Sequence, residues 1–133
     1  MTSKNKDVII IGAGLCGSLL ALRLAQRGCK VRVYEKRSDP RTSELYSGRS
    51  INLAFSNRGN KAMKLVGLEN KVIPLCIPMK GRLIHDKLGN TIQSNYSGNT
   101  NEFINSISRK DLNILLINEA ENNPDVSFHF NIS

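Results

Sequence analysis

Tryptophan is absent from this chain, aromatic residues make up only 5% of it, and three cysteines and four prolines are spread over its 133 residues. Each shortage excludes something. Cys16, Cys29 and Cys76 form no Cys-x-x-Cys pair, so neither a disulfide framework nor a zinc site is indicated. No apolar run approaches the ~20 residues that a membrane-spanning helix needs. The polar start MTSKNKD lacks the charged-then-apolar layout of a secretory signal, so a cytoplasmic location is expected. The net charge of +8 would ordinarily raise nucleic acid as a partner. However, Lys and Arg are scattered from Lys4 to Lys110 with no block of five and few aromatics to stack on bases; a solvated basic surface is expected, with no nucleic acid. The Asn-, Lys- and Ile-rich composition hints at an AT-rich, bacterial source. The length suits one domain able to bury about two-thirds of its unfolded surface.

What is present begins at Asp7. Val8 to Ile11 is a short β-branched run of the kind a buried parallel strand needs, and it leads directly into glycines at 12, 14 and 17. In that order Gly12 permits a tight turn, Gly14 lets backbone approach a pyrophosphate, and Gly17 lets the next helix lie close to the strand. Leu15 to Arg27 reads as a mostly buried helix with Arg23, Gln26 and Arg27 as its wet edge, stopped by Gly28. Cys16, at the helix start, reads as a small filler in the glycine loop. A second strand, Val31 to Tyr34, ends in Glu35, eighteen residues after Gly17. There a carboxylate can accept hydrogen bonds from an adenosine ribose. An acid at this point favours a free 2′-hydroxyl, hence NAD or FAD over NADP as the bound dinucleotide.

The stretch from Ser38 to Ser50 reads as an exposed connection. Ser50 to Phe55 looks extended, and Ser56 is placed to cap a helix through Val66 that closes at Gly67. A short helix from Leu68 to Ile73 is expected to stop at Pro74. Arg82 to His85 and Thr91 to Gln93, joined by Leu88-Gly89-Asn90, read as an antiparallel hairpin, followed by a strand-like piece at Phe103 to Ile104. Ser108 and Asp111 resemble a capping box, and Leu112, Leu115, Leu116 and Ala120 form one helical face ended by Asn122-Asn123-Pro124. Val126, Phe128 and Phe130 then alternate as a third parallel strand. The fold class is α/β: a Rossmann-like βαβ unit over about 7–37, an inserted hairpin segment over about 77–107, and a return helix and strand over about 108–131. His85 and His129 read as strand residues and are assigned to neither metal nor proton transfer.

Within that scheme the strings GRSINLAFSNRG at 48–59, IPMKGRLIH at 77–85 and SISRKDLN at 106–113 carry the most specific signal. They resemble the N-terminal part of the kynurenine 3-monooxygenase family, class A flavoprotein aromatic hydroxylases related to para-hydroxybenzoate hydroxylase. The likeness runs from about Val8 to the last residues and includes an AE..P.V.FHFN-like ending. It implies that Gly12, Gly14, Cys16 and Gly17 lie in an FAD phosphate loop and Tyr34, Glu35, Lys36 and Arg37 at the adenosine-ribose end. It further implies that Ala54 lies in a flavin-contacting segment and that Arg109 reaches FAD from a helix start, where the dipole alone would disfavour a guanidinium. Arg82 and Tyr96 match the pair that binds the amino-acid carboxylate of L-kynurenine; a planar guanidinium takes a carboxylate bidentately and a phenol adds one directed hydrogen bond. From the residues alone, the favoured reading is that both are exposed side chains on a surface hairpin.

The reaction implied by the resemblance is hydroxylation of L-kynurenine to 3-hydroxykynurenine, with NADPH reducing FAD and O2 trapped as a flavin C4a-hydroperoxide. The flavin carries the hard chemistry, so no catalytic acid or base is named. Because the family is much longer, the chain is expected to be an N-terminal portion of a larger FAD-binding fold. It is therefore expected to have an unfilled sheet edge, to be inactive alone, and to depend on the remainder of its own polypeptide. Alternatives are a flavin hydroxylase of another aromatic substrate, an NAD-dependent dehydrogenase sharing the first 37 residues, or a stand-alone adenine-nucleotide-binding module.

Overall fold

The computed structural model describes residues 6–42, 51–98 and 103–133. In chain order the elements are β1 (Asp7–Ile11), α1 (Leu15–Ala25), β2 (Lys30–Tyr34), β3 (Asn52–Phe55), α2 (Asn57–Leu65), α3 (Glu69–Val72), β4 (Cys76–Met79), β5 (Gly81–His85), β6 (Thr91–Asn95), β7 (Ile104–Ser108), α4 (Arg109–Glu121) and β8 (Val126–His129). They divide into two compact units, Met1–Ile51 with Arg109–Ser133, and Asn52–Ser108.

The first unit is a parallel sheet in the order β1-β2-β8, as the sequence predicts. Val8 pairs with Val31 and Val31 with Val126, so β-branched residues align across the sheet. Val31 and Val33 are completely buried, and each such side chain contributes about 2 kcal/mol relative to exposure. Two helical faces differ from expectation. In α1 the buried stripe is Ser18, Ala21, Leu22 and Ala25, while Leu20 is 48% exposed. Small residues at 18, 21 and 25 share one face, and their size lets α1 pack closely against α4. In α4 the buried residues are Leu112, Leu116, Ile117 and Ala120, with Ile117 taking the place expected for Leu115. At the end of α1 the Gly28 and Cys29 amides bond to the carbonyls of Ala25 and Leu24, with Gly28 at φ +80°. That is the glycine-terminated stop the sequence suggests. Ile9 and Ile11, alternating with buried Ile10 along β1, are 58% and 82% exposed, so on its other face β1 is apolar and open, while β2 and β8 place Arg32, Tyr34, Ser127 and His129 there.

The connection after Arg37 is not simply exposed where it is described. Pro40 is buried. Arg41 binds both Asp39 carboxylate oxygens, reaches Asn118 at 3.1 Å and Glu121 on α4, and lies 5.9 Å from the Phe130 ring centroid. These bonds hold the Asp39 carboxyl below its usual range, the side-chain bond to Arg41 being the largest influence. Residues 43–50 lie outside the described residues.

The second unit holds an antiparallel sheet in the order β3-β7-β4 and the two-stranded β5–β6 hairpin. It is wider than the hairpin segment read from the sequence, because β4 and most of β7 carry no strong alternation of their own. Phe55, Met63, Val66, Leu68, Val72 and Ile107 form its core. Ser56 occupies the N-cap position of α2 without a side-chain capping bond. The short helix ends at Val72, ahead of Pro74 as expected, and the chain continues as a 3-10 turn, Ile73–Leu75, whose first positions need no proline N–H.

Candidate functional site

The glycine loop joins β1 to α1, and each glycine has a separate reason to be there. Gly12 adopts φ +102°, a conformation that side chains disfavour, and its N–H donates to the Tyr34 carbonyl at 2.7 Å, tying the loop to the end of β2. A Cβ on Gly17 would fall 1.9 Å from the Gly12 carbonyl oxygen, so no larger residue fits without moving backbone. A Cβ on Gly14 would meet nothing within 4 Å: the space beside the loop is open. The Ser18 N–H closes on the Gly14 carbonyl at 2.9 Å and starts the helix, leaving the preceding amides of the first turn without intrahelical partners. Such an end favours an anion.

Glu35 closes the other side. Its Oε2 accepts the Ala13 N–H at 2.8 Å and its Oε1 the Arg37 N–H at 2.9 Å. Burial pushes its carboxyl up, but the Arg37 and Ala13 amides and the Arg37 and Lys36 charges outweigh this and leave it below the ordinary value of 4.5. An ionised carboxylate has about four acceptor positions, so two remain for hydroxyl donors. Tyr34 stacks on His129 with ring centroids 4.9 Å apart, and Lys36 and Arg37 are exposed beside Glu35. Cys16 is exposed in the first turn of α1. The structure thus brings Gly12, Gly14, Cys16, Gly17 and Glu35 to one end of the sheet. An open, donor-lined loop facing a carboxylate with spare acceptors suits an adenine dinucleotide.

Sequence reasoning missed two residues here. Ser18 and Asn113 both donate to the Ala13 carbonyl, at 3.2 and 3.0 Å. Asn113 continues the buried stripe of Leu116, Ile117 and Ala120, and an amide in an otherwise apolar stripe was the available signal. Arg109, one turn before it, lies on the same side of α4; its N–H donates to the Ile51 carbonyl.

The remaining predicted residues fall in the second unit. Ala54 is exposed on β3, opposite Ser106. Arg82 on β5 faces Ser94 across the hairpin, and the Tyr96 N–H donates to the Lys80 carbonyl at 3.2 Å. Since alternate strand positions share a face, Lys80, Arg82 and Ile84 lie with Ile92, Ser94 and Tyr96. That face offers a cation, a phenol and an aliphatic surface. Arg82 is exposed and Tyr96 43% exposed. An open cavity of about 710 Å³ in the same unit, lined by Phe55, Asn60, Cys76, Phe103 and Asn105, includes neither.

A family model for NAD(P)-binding Rossmann-like domains matches residues 10–57. A protein named kynurenine 3-monooxygenase from Anopheles gambiae is 51% identical over 131 residues, 98% of this chain and 27% of the relative. Another of that name, from Cytophaga hutchinsonii, is 52% identical over 120 residues, 89% of this chain and 26% of the relative. The chain is a relative of the kynurenine 3-monooxygenases. It spans about 27% of the length of these curated relatives. The solved structure of 2-methyl-3-hydroxypyridine-5-carboxylic acid oxygenase superposes with a TM-score of 0.72 over 97% of this chain and 32% of that one, at 23% identity, which is a likeness of fold. The kynurenine 3-monooxygenases matched come from both an insect and a bacterium, so the expected bacterial source is not supported. Among the described residues no helix is long and apolar enough to cross a membrane.

Proposed function

We propose that this chain forms the FAD-binding and part of the substrate-binding portion of a monooxygenase that hydroxylates L-kynurenine to 3-hydroxykynurenine with NADPH and O2. The observation that carries the cofactor reading is the glycine loop closed by Glu35, with its open space at Gly14 and spare carboxylate acceptors. The kynurenine reading rests on the relatives that bear that name and on the Arg82–Tyr96 face. Bound FAD would supply the redox chemistry between NADPH, O2 and the aromatic ring.

The chain's own residues bind and orient. Backbone amides at Gly14 and the start of α1, beside Cys16, meet the pyrophosphate without a basic side chain. Glu35 accepts the ribose hydroxyls, with Tyr34, Lys36 and Arg37 around it. Ala54 leaves room for the flavin, and Arg109 reaches a polar part of FAD. Arg82 takes the substrate carboxylate bidentately, Tyr96 adds a hydrogen bond, and Ile84 and Ile92 flank the ring. No residue here is assigned as a catalytic acid or base, and the remainder of the active site comes from the rest of the polypeptide.

The test is NADPH oxidation by the full-length gene product with and without L-kynurenine. A yellow protein whose NADPH consumption rises with kynurenine is expected. Stimulation by another phenol or aniline but not by kynurenine would remove the substrate assignment, and a colourless protein that binds NAD would favour a dehydrogenase.

A further inference from the structure

Asn113 has no part in the roles assigned above, yet its side chain crosses from α4 to the glycine loop. Its Nδ2 donates to the Ala13 carbonyl at 3.0 Å over a separation of 100 residues. Ser18, fully buried, donates its hydroxyl to the same oxygen at 3.2 Å. With two donors on one carbonyl, both lone pairs of that oxygen are engaged. The Ala13 N–H is held separately by Glu35. Ala13 itself is 3% exposed, so the middle of the loop is pinned on three sides by side chains far apart in sequence.

The direction of the next amide follows. In a planar trans peptide the N–H points opposite to the C=O. The Ala13 carbonyl is turned inward onto Ser18 and Asn113, so the Gly14 N–H is turned away from them, out of an exposed residue beside which there is open space. Asn113 is also left incomplete: its Oδ1 is buried and has no donor among the described residues. A part-buried amide whose oxygen is left unmet is explained by the nitrogen in use, the donor to Ala13.

We infer that Asn113 is a positioning residue for the dinucleotide: with Ser18 it fixes the Ala13–Gly14 peptide so that the Gly14 N–H is presented to the pyrophosphate. The inference rests on the dinucleotide-binding reading above and deepens it. A leucine at 113 fills similar volume but leaves the carbonyl with Ser18 as its one donor and the peptide less firmly held.

The test uses the intact protein with Asn113→Leu and Asn113→Ala, beside Leu116→Ala, a cavity three residues further along the same buried stripe. ADP affinity is read by calorimetry, FAD affinity by quenching of flavin fluorescence, and loop order by hydrogen–deuterium exchange of the segment covering residues 11–17 in the ligand-free protein. Both Asn113 variants are expected to weaken ADP and FAD about tenfold, as loss of one well-placed hydrogen-bond donor would, and to speed exchange of the loop. Leu116→Ala is expected to melt earlier while binding ADP within about twofold of wild type. Wild-type ADP affinity in Asn113→Leu and Asn113→Ala, or equal losses in Leu116→Ala, would overturn the inference. A wild-type protein that binds ADP but not FAD would remove flavin from the proposed function, and the Asn113 inference would then be decided by the ADP titrations.

Discussion

Around the glycine loop the proposed functional groups are backbone atoms and partly buried side chains held on several sides, whereas on the β5–β6 hairpin they are exposed side chains held only by strand register. The first arrangement is part of the packing: Gly17 touches Gly12, Glu35 bonds the Ala13 amide, and the loop shares its anchors with the βαβ core. The second is laid on top of a local scaffold, in which Arg82 and Tyr96 contribute surface and little else. Damage to the loop should therefore cost fold and binding together, while damage to the hairpin face should cost binding alone.

The largest effect is expected at Gly17. Gly17→Ala places a methyl carbon 1.9 Å from a backbone oxygen, and the resulting overpacking should lower stability by about 3 kcal/mol or more, read as an early chemical-denaturation midpoint and loss of flavin uptake. Next comes Arg41→Ala. It leaves Asp39 without its main partner and detaches the loop after β2 from α4, at about 2 kcal/mol for charge-assisted hydrogen bonds, with the same unfolding assay as the check. Smaller again is an acid effect at Glu35. Its carboxyl titrates below the ordinary value in the folded protein, so its contribution is complete above 4.5 and lost as pH falls through the lowered folded value. Wild type minus Glu35→Gln, followed by denaturant unfolding from pH 7 to 3, should show this leg shrinking on the acid side. Arg82→Ala should leave stability within about 0.5 kcal/mol of wild type, while weakening L-kynurenine binding roughly tenfold or more through loss of the bidentate contact.

The same contrast decides what the sequence revealed. The βαβ unit was legible because its signals are local and stack in order: a β-branched run, three glycines at required spacings, a glycine stop and an acid after the second strand. What could not be read there was which residues of α1 and α4 face each other, since that depends on the small side chains at Ser18, Ala21 and Ala25 letting the helices approach. Hence Leu20 proved exposed and Ile117 buried. The ion network of Arg41 was hidden inside a polar stretch with the composition of a loop. In the second unit the hairpin announced itself through Leu88-Gly89-Asn90, and Gly89 does take a positive φ. Strand β4 did not, because Cys76–Met79 contains a proline and no alternation; it exists only by pairing with β7. Arg82 and Tyr96 became candidates by resemblance, and strand alternation then put them on one face.

The most direct test is a flavin-fluorescence titration of the intact protein, comparing wild type, Glu35→Ala and Arg82→Ala side by side. Wild type and Arg82→Ala should take up FAD with equal affinity, and Glu35→Ala should bind it at least about tenfold more weakly, having lost a charged hydrogen-bond acceptor. Unchanged FAD affinity in Glu35→Ala, or an equal loss in Arg82→Ala, would contradict the proposed cofactor site at the glycine loop, to which Arg82 contributes nothing.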